Sequence, residues 1–120
     1  MAKLEKKSID SPDESRTVGK GEMALITVGG VTLGQGTFQP GWRWSEHVKP
    51  IVGGDSCQVH HLTYVLSGRL GVRMDDGSEL EVGPGEFAEI PPGHDGWTIG
   101  DEPFVGIDVS GEAANYAKPS

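Results

Sequence analysis

The sequence predicts an all-β protein, a small antiparallel β-barrel with an N-terminal arm, and three observations carry that expectation. Nineteen glycines and eight prolines in 120 residues are too many helix breakers for a helical bundle. Short runs rich in β-branched and apolar residues recur along the chain, each closed by Gly, Pro or Asp-Gly, which is the rhythm of strands. A helical apolar pattern is confined to residues 112–117, too short to stand as a helix without tertiary support.

The elements follow in order. Residues 1–22 are polar, carry Ser11-Pro12-Asp13 and lack periodicity, so they read as an arm with one short edge strand near residues 6–9. The domain proper spans 23–120. Runs at 24–28 and 31–38 flank Gly29-Gly30, and after Pro40-Gly41 the pair Trp42 and Trp44 is expected on one face of an extended segment. Further strands are expected at 56–66, 68–74, 79–82, 86–90, 97–99 and 104–110. Asp76-Gly77 between two such runs is a hairpin signal, because Gly accepts the positive φ of a primed turn. Gly83-Pro84-Gly85 and Pro91-Pro92-Gly93 mark two more tight turns, the prolines ending ladder pairing. So many short strands around one core favour closure, since closure hides their edges. A closed barrel has an interior that is either filled or holds one small ligand.

Ten Lys and Arg against 18 Asp and Glu give a formal charge of -8, which argues against capture of nucleic acid or anionic membrane. The chain has no apolar run long enough to span a bilayer. Its one cysteine, Cys57, cannot close an internal disulfide, and the first seven residues lack the apolar stretch of a secretory signal, so a cytoplasmic setting is expected. The phosphate loop, the dinucleotide fingerprint, the Gly-x-Ser-x-Gly elbow and the Cys-x-x-Cys pair are all missing.

Two segments resemble the paired signatures of the cupin superfamily, over about residues 35–108. In the first, Gly41 is followed after five residues by His47 and then Lys49, and His61 is followed after six by Gly68. The second is Gly85-Glu86-Phe87-Ala88-Glu89-Ile90-Pro91-Pro92-Gly93. The resemblance implies a jelly-roll barrel. Where metal-binding cupins carry His, His, Glu and His, this chain has His47, Lys49, His61 and Gly96. It is more similar to small single-domain cupins with Trp-x-Trp-Ser, Cys-x-x-x-His-x-x-Tyr and Gly-His-Asp-x-Trp, here beginning at Trp42, Cys57 and Gly93. That likeness implies a fold more firmly than a reaction.

Strand alternation places Cys57, Val59, His61, Thr63 and Val65 on one face and turns His60 outward. His61 is the leading candidate ligand, and its bland alternative is a buried neutral imidazole. Four residues of straight strand span about 13 Å, so Cys57 and His61 can share one ion only if the strand is shortened by a bulge. His94 follows the turn from which cupins deliver a pocket histidine, and His47 falls at the first family ligand position. Asp95 either orients a neighbouring ring or caps its own turn. The expected site is therefore a divalent transition metal, zinc, iron or nickel, held by His61, His94, Cys57 and His47. Tyr64, Trp44 and Trp97 would grip a small organic molecule beside it. The alternative is a metal-free binding or sensing module using Tyr64, His61 and the tryptophans. Whether the protein is an enzyme stays open at this level. A homodimer is expected, on the argument that an N-terminal arm needs something to pack against.

Overall fold

The structure, a computed structural model, describes residues 4–117. Among the described residues nine strands pair antiparallel throughout, in two sheets. The larger sheet contains β1 (Glu14–Val18), β2 (Gly21–Val28), β3 (Val31–Phe38), β4 (His61–Ser67), β7 (Phe87–Ile90) and β9 (Phe104–Asp108), in the order β1-β2-β3-β9-β4-β7. The smaller contains β5 (Arg69–Met74), β6 (Glu79–Val82) and β8 (His94–Ile99), in the order β6-β5-β8. Among the described residues no helix is long and apolar enough to cross a membrane.

Period-two alternation builds the interior. On β9 the buried residues are Phe104, Gly106 and Asp108, and on β8 they are His94, Gly96 and Thr98. One core cluster draws Met23, Leu25, Val65 and Phe104 from the larger sheet and Leu70, Val72 and Val82 from the smaller. The inward glycines of β3 leave room for large neighbours: a side chain on Gly36 would meet Phe38 and Met23. The β5–β6 hairpin turns where Asp76-Gly77 predicts it, with Gly77 at φ 92°.

Several expectations are corrected. The expected all-β antiparallel jelly roll stands, but its two sheets do not close into a true barrel. Part of the open edge of β8 is covered instead by isolated bridges from Arg43 to Trp97 and from Cys57 to His94. The N-terminal edge strand lies at Glu14–Val18, not near residues 6–9, because Gly19-Lys20 makes a tight turn that pairs Val18 with Gly21 and zips β1 onto β2. The extended stretch stops at Arg43, whose φ is -147° and ψ 131°. The chain then forms two short helical turns, α1 (Trp44–His47) and α2 (Lys49–Val52), with Pro in the first turn of α2, where its missing N–H costs nothing. The strand expected from residue 56 begins only at His61, and the one expected from 97 begins at His94. The residues expected to be weakly helical form a 3-10 turn at Ala113–Asn115.

Candidate metal centre

The site lies where the chain passes between the sheets. Strand β7 belongs to the larger sheet and β8 to the smaller, and Pro91-Pro92-Gly93 carries the chain across. The segment leading into β4 crosses at the same corner. Cys57 donates its N–H to the His94 carbonyl at 2.7 Å and accepts from the Gly93 N–H at 2.7 Å, while His61 pairs with Ile90. Between these anchors Gln58, Val59 and His60 leave strand conformation. The departure puts the ligand atoms of Cys57, His61 and His94 within 4.8 Å of one another.

Each ring is oriented from behind. His61 Nδ1 lies 2.6 Å from Asp108 Oδ2, and His94 Nδ1 lies 2.7 Å from the Pro91 carbonyl oxygen. A carbonyl only accepts, so His94 carries a proton on Nδ1 and keeps Nε2 for a ligand. The Asp108 carboxylate selects the same tautomer for His61. The two rings meet edge to face, with centroids 5.3 Å apart and planes at 67°. Asp108 is itself 3% exposed and also accepts from the Ser110 N–H at 2.9 Å.

The electrostatics are those of an ion pair. Burial would push the Cys57 thiol up, but hydrogen bonds with His61 and His94 outweigh it and bring the pKa down to about 6. Burial would likewise lower His61, yet the hydrogen bonds to Asp108 and Cys57 raise it to about 9. Burial opposes ionisation of Asp108 too, and the His61 contact lowers its pKa nonetheless. At neutral pH in the free protein, a thiolate therefore faces an imidazolium backed by a carboxylate.

Beside the cluster lies a cavity of about 50 Å³, walled by Phe38, Trp44, Leu70, Ile90 and Phe104 among others. Two polar atoms in its wall have no hydrogen-bond partner, the Trp42 indole Nε1 and the Tyr116 hydroxyl. The two address each other: burial raises the pKa of the hydroxyl, and the nearby indole N–H lowers it in part. Leaving a polar group buried and unpaired costs about 1–3 kcal/mol, so two together call for an explanation. Trp42 is fixed by stacking on Phe38 at 4.1 Å between centroids. Tyr116 is fixed through its backbone, since the Arg16 guanidinium donates to the carbonyls of Ala114 and Tyr116. A second cavity of about 210 Å³ shares Trp44 and Cys57 with the first and runs between Val48 and Ala117.

This arrangement of strands recurs in solved structures. A protein of unknown function from Rhizobium leguminosarum superposes with a TM-score of 0.62 at 24% identity, covering 89% of this chain and 95% of its own. Oxalate decarboxylase from Lactobacillus farciminis superposes with a TM-score of 0.57 at 16% identity, covering 79% of this chain and 30% of its own. The fold is that of the cupins. A protein of unknown function from Acidithiobacillus ferrooxidans shares it, with a TM-score of 0.60 at 18% identity over 82% of this chain and 88% of its own. No protein-family model matches the sequence, and no curated protein matches it.

Within the cupin frame the expected site residues separate. Cys57, His61 and His94 come together. His47 does not: it lies in α1, its Nδ1 is 3.1 Å from the Arg43 backbone, and its ring packs over Gly19. Trp44 is a cavity wall. Tyr64 points away on the outer face of β4 and is 44% exposed, because it stands an odd number of residues from His61. Trp97 is outside the cavity, covering Gly71 and lying under the Arg43 guanidinium at 4.7 Å. His60 faces outward between Glu89 and Glu112, at 3.1 and 3.3 Å. Asp95 orients no ring; it accepts from the Ser45 N–H at 3.1 Å and so caps the first turn of α1. Sequence reasoning missed Asp108 and Tyr116, while Trp42, named there only among the tryptophans, is a cavity wall. A signal for Asp108 existed, since a carboxylate in register with Phe104 and Gly106 must point inward and needs a partner.

Proposed function

We propose that this cupin binds one divalent transition metal ion through Cys57 Sγ, His61 Nε2 and His94 Nε2, and presents a small organic molecule to it from the adjoining cavity. The observation that carries this reading is the convergence of three soft donors from both sheets, with each Nδ1 already engaged. In a tetrahedral zinc site, sulfur at about 2.3 Å and nitrogen at about 2.1 Å from the ion stand ~3.5 Å apart. Small side-chain adjustments bring donors within 4.8 Å to that spacing. Thiolate with imidazole suits zinc, iron or nickel. Three protein ligands leave a position open, at which the ion would polarise a bound oxygen or activate water. The residues of the chain do the rest: Asp108 and Pro91 hold the rings, and the apolar wall excludes water.

Elemental analysis of protein purified without a metal-carrying tag tests this. The expected result is one ion per chain, lost on Cys57→Ser, His61→Ala or His94→Ala, with a melting temperature that falls in chelator. Protein without an ion, melting unchanged in chelator, would favour a metal-free small-molecule module instead. A buried free thiol suits a reducing, cytoplasmic setting. A homodimer is also proposed, on different grounds from the arm, whose strand Glu14–Val18 is paired within its own sheet. Tyr64 and Phe87 are register partners on β4 and the edge strand β7, exposed 44% and 60%, and a second copy covering them would bury both.

A further inference from the structure

We infer that the Thr63 hydroxyl positions the oxygen ligand that takes the open place on the ion. This rests on the metal reading above and adds to it a residue that ligates nothing. Thr63 lies two residues beyond His61 on β4, so the two side chains share the inner face, about 6–7 Å apart along the strand. Thr63 is 7% exposed and lines the cavity that Cys57, His61 and His94 also line. Its methyl is packed toward β9: a Cβ built on Gly106 would lie 2.8 Å from Thr63 Cγ2.

The hydroxyl is neither paired nor sealed. Among the described residues Thr63 Oγ1 makes no hydrogen bond, yet it is not one of the unpaired polar atoms closed off in the core, which are Trp42 Nε1 and the Tyr116 hydroxyl. On the inner face of β4, a strand flanked by β9 and β7, the open space it meets is that cavity. A hydroxyl without a partner in an apolar interior is costlier than a methyl in its place. Val65, the next residue on the same face, is a valine with no exposure. Thr63 therefore keeps a polar group where packing alone is served by valine, beside the histidine that opens β4. Its chemistry suits one task. Cys57, His61 and His94 spend their donor atoms on the ion, whereas a hydroxyl both accepts and donates. It can accept from water on the ion and donate to the same oxygen once a proton has left for solvent. The second bond is charge-assisted and the stronger of the two. A cavity of about 50 Å³ limits any other oxygen ligand to a body of ~4 heavy atoms.

Cobalt(II) serves as the probe, because its visible bands change when water on it ionises. Wild-type protein, Thr63→Val, Thr63→Ala and Thr63→Ser are loaded with cobalt, the metal is counted by elemental analysis, and the bands are followed against pH. All four are expected to hold one cobalt per chain. Thr63→Val removes the donor to the ionised oxygen and should raise the midpoint of the spectral change by about 1 pH unit, a tenfold weaker ionisation. Thr63→Ala should do the same without asking the core to accept another valine. Thr63→Ser keeps the hydroxyl and should stay within about 0.3 unit of the wild type. Cobalt bound with the midpoint unmoved in the valine and alanine variants, or moved as far by serine as by valine, would overturn this inference alone. Wild-type protein that takes up no cobalt would overturn the metal reading and this inference with it.

Discussion

His61 and Cys57 carry most of the consequence of the site at the residue scale, because both must be without their ligand-atom proton when an ion is bound. Between pH 6 and pH 9 Cys57 is a thiolate and His61 an imidazolium, so one proton leaves per ion bound. Below about 6 the thiol must ionise too. The logarithm of metal affinity should therefore rise with pH at a slope near 1 across that window and near 2 beneath it, as measured by competition with a chelator of known affinity. A slope near 2 at neutral pH would mean that the thiolate is not formed in the free protein. Asp108→Asn removes the carboxylate that fixes the His61 tautomer, and an amide can donate to Nδ1 and place the proton on the wrong nitrogen. Loss of such a partner costs about 10- to 100-fold in metal affinity. The melting temperature of the chelated variant would separate that effect from a general loss of structure.

At the scale of elements, the site depends on chain that is not strand. Regular pairing from residue 56 would have kept Cys57 and His61 about 13 Å apart; the stretch Gln58-Val59-His60 pairs with no strand, and the ligand atoms on either side of it lie within 4.8 Å. That break is illegible in the sequence because nothing in those three residues is a breaker. Its cause is tertiary, since Cys57 is drawn to β8 and His61 to β7. The same competition explains the helical turns at α1 and α2: Trp-x-Trp alternates like a strand, but Asp95 caps α1 from fifty residues away. Local signals did place β3 and β6, and the Asp76-Gly77 turn, because glycine chemistry and alternation act within each segment. His61 and His94 could be read from strand alternation and from the turn before β8. Trp42 and Tyr116 could not, since their significance lies in a missing partner. Gly21 offers a check on that corner. Gly21→Ala would set a methyl 2.8 Å from Phe38 Cδ1 as well as against the two polar atoms, and should destabilise the protein by about 1–3 kcal/mol, read by denaturant unfolding.

For the whole molecule, the first strand secures the last turn. Arg16 on β1 reaches the carbonyls of Ala114 and Tyr116 and is itself steadied by Glu14 at 2.6 Å. Arg16→Ala should cost about 1–3 kcal/mol and, by loosening Tyr116, broaden the Trp42 indole resonance. The proposed dimer belongs to this scale too. Sedimentation equilibrium should give twice the chain mass, and Phe87→Glu should give the monomer; a monomeric wild-type protein would remove the proposal. The corner where the chain crosses has one further implication. Two of the three donors are tied to β8 and the third opens β4, so an ion seated among them would act as a rivet through both leaves. Stripping it should free the leaves to breathe against each other, with amide hydrogens near residues 57–61 and 93–94 exchanging faster while those at the β2–β3 hairpin keep their pace.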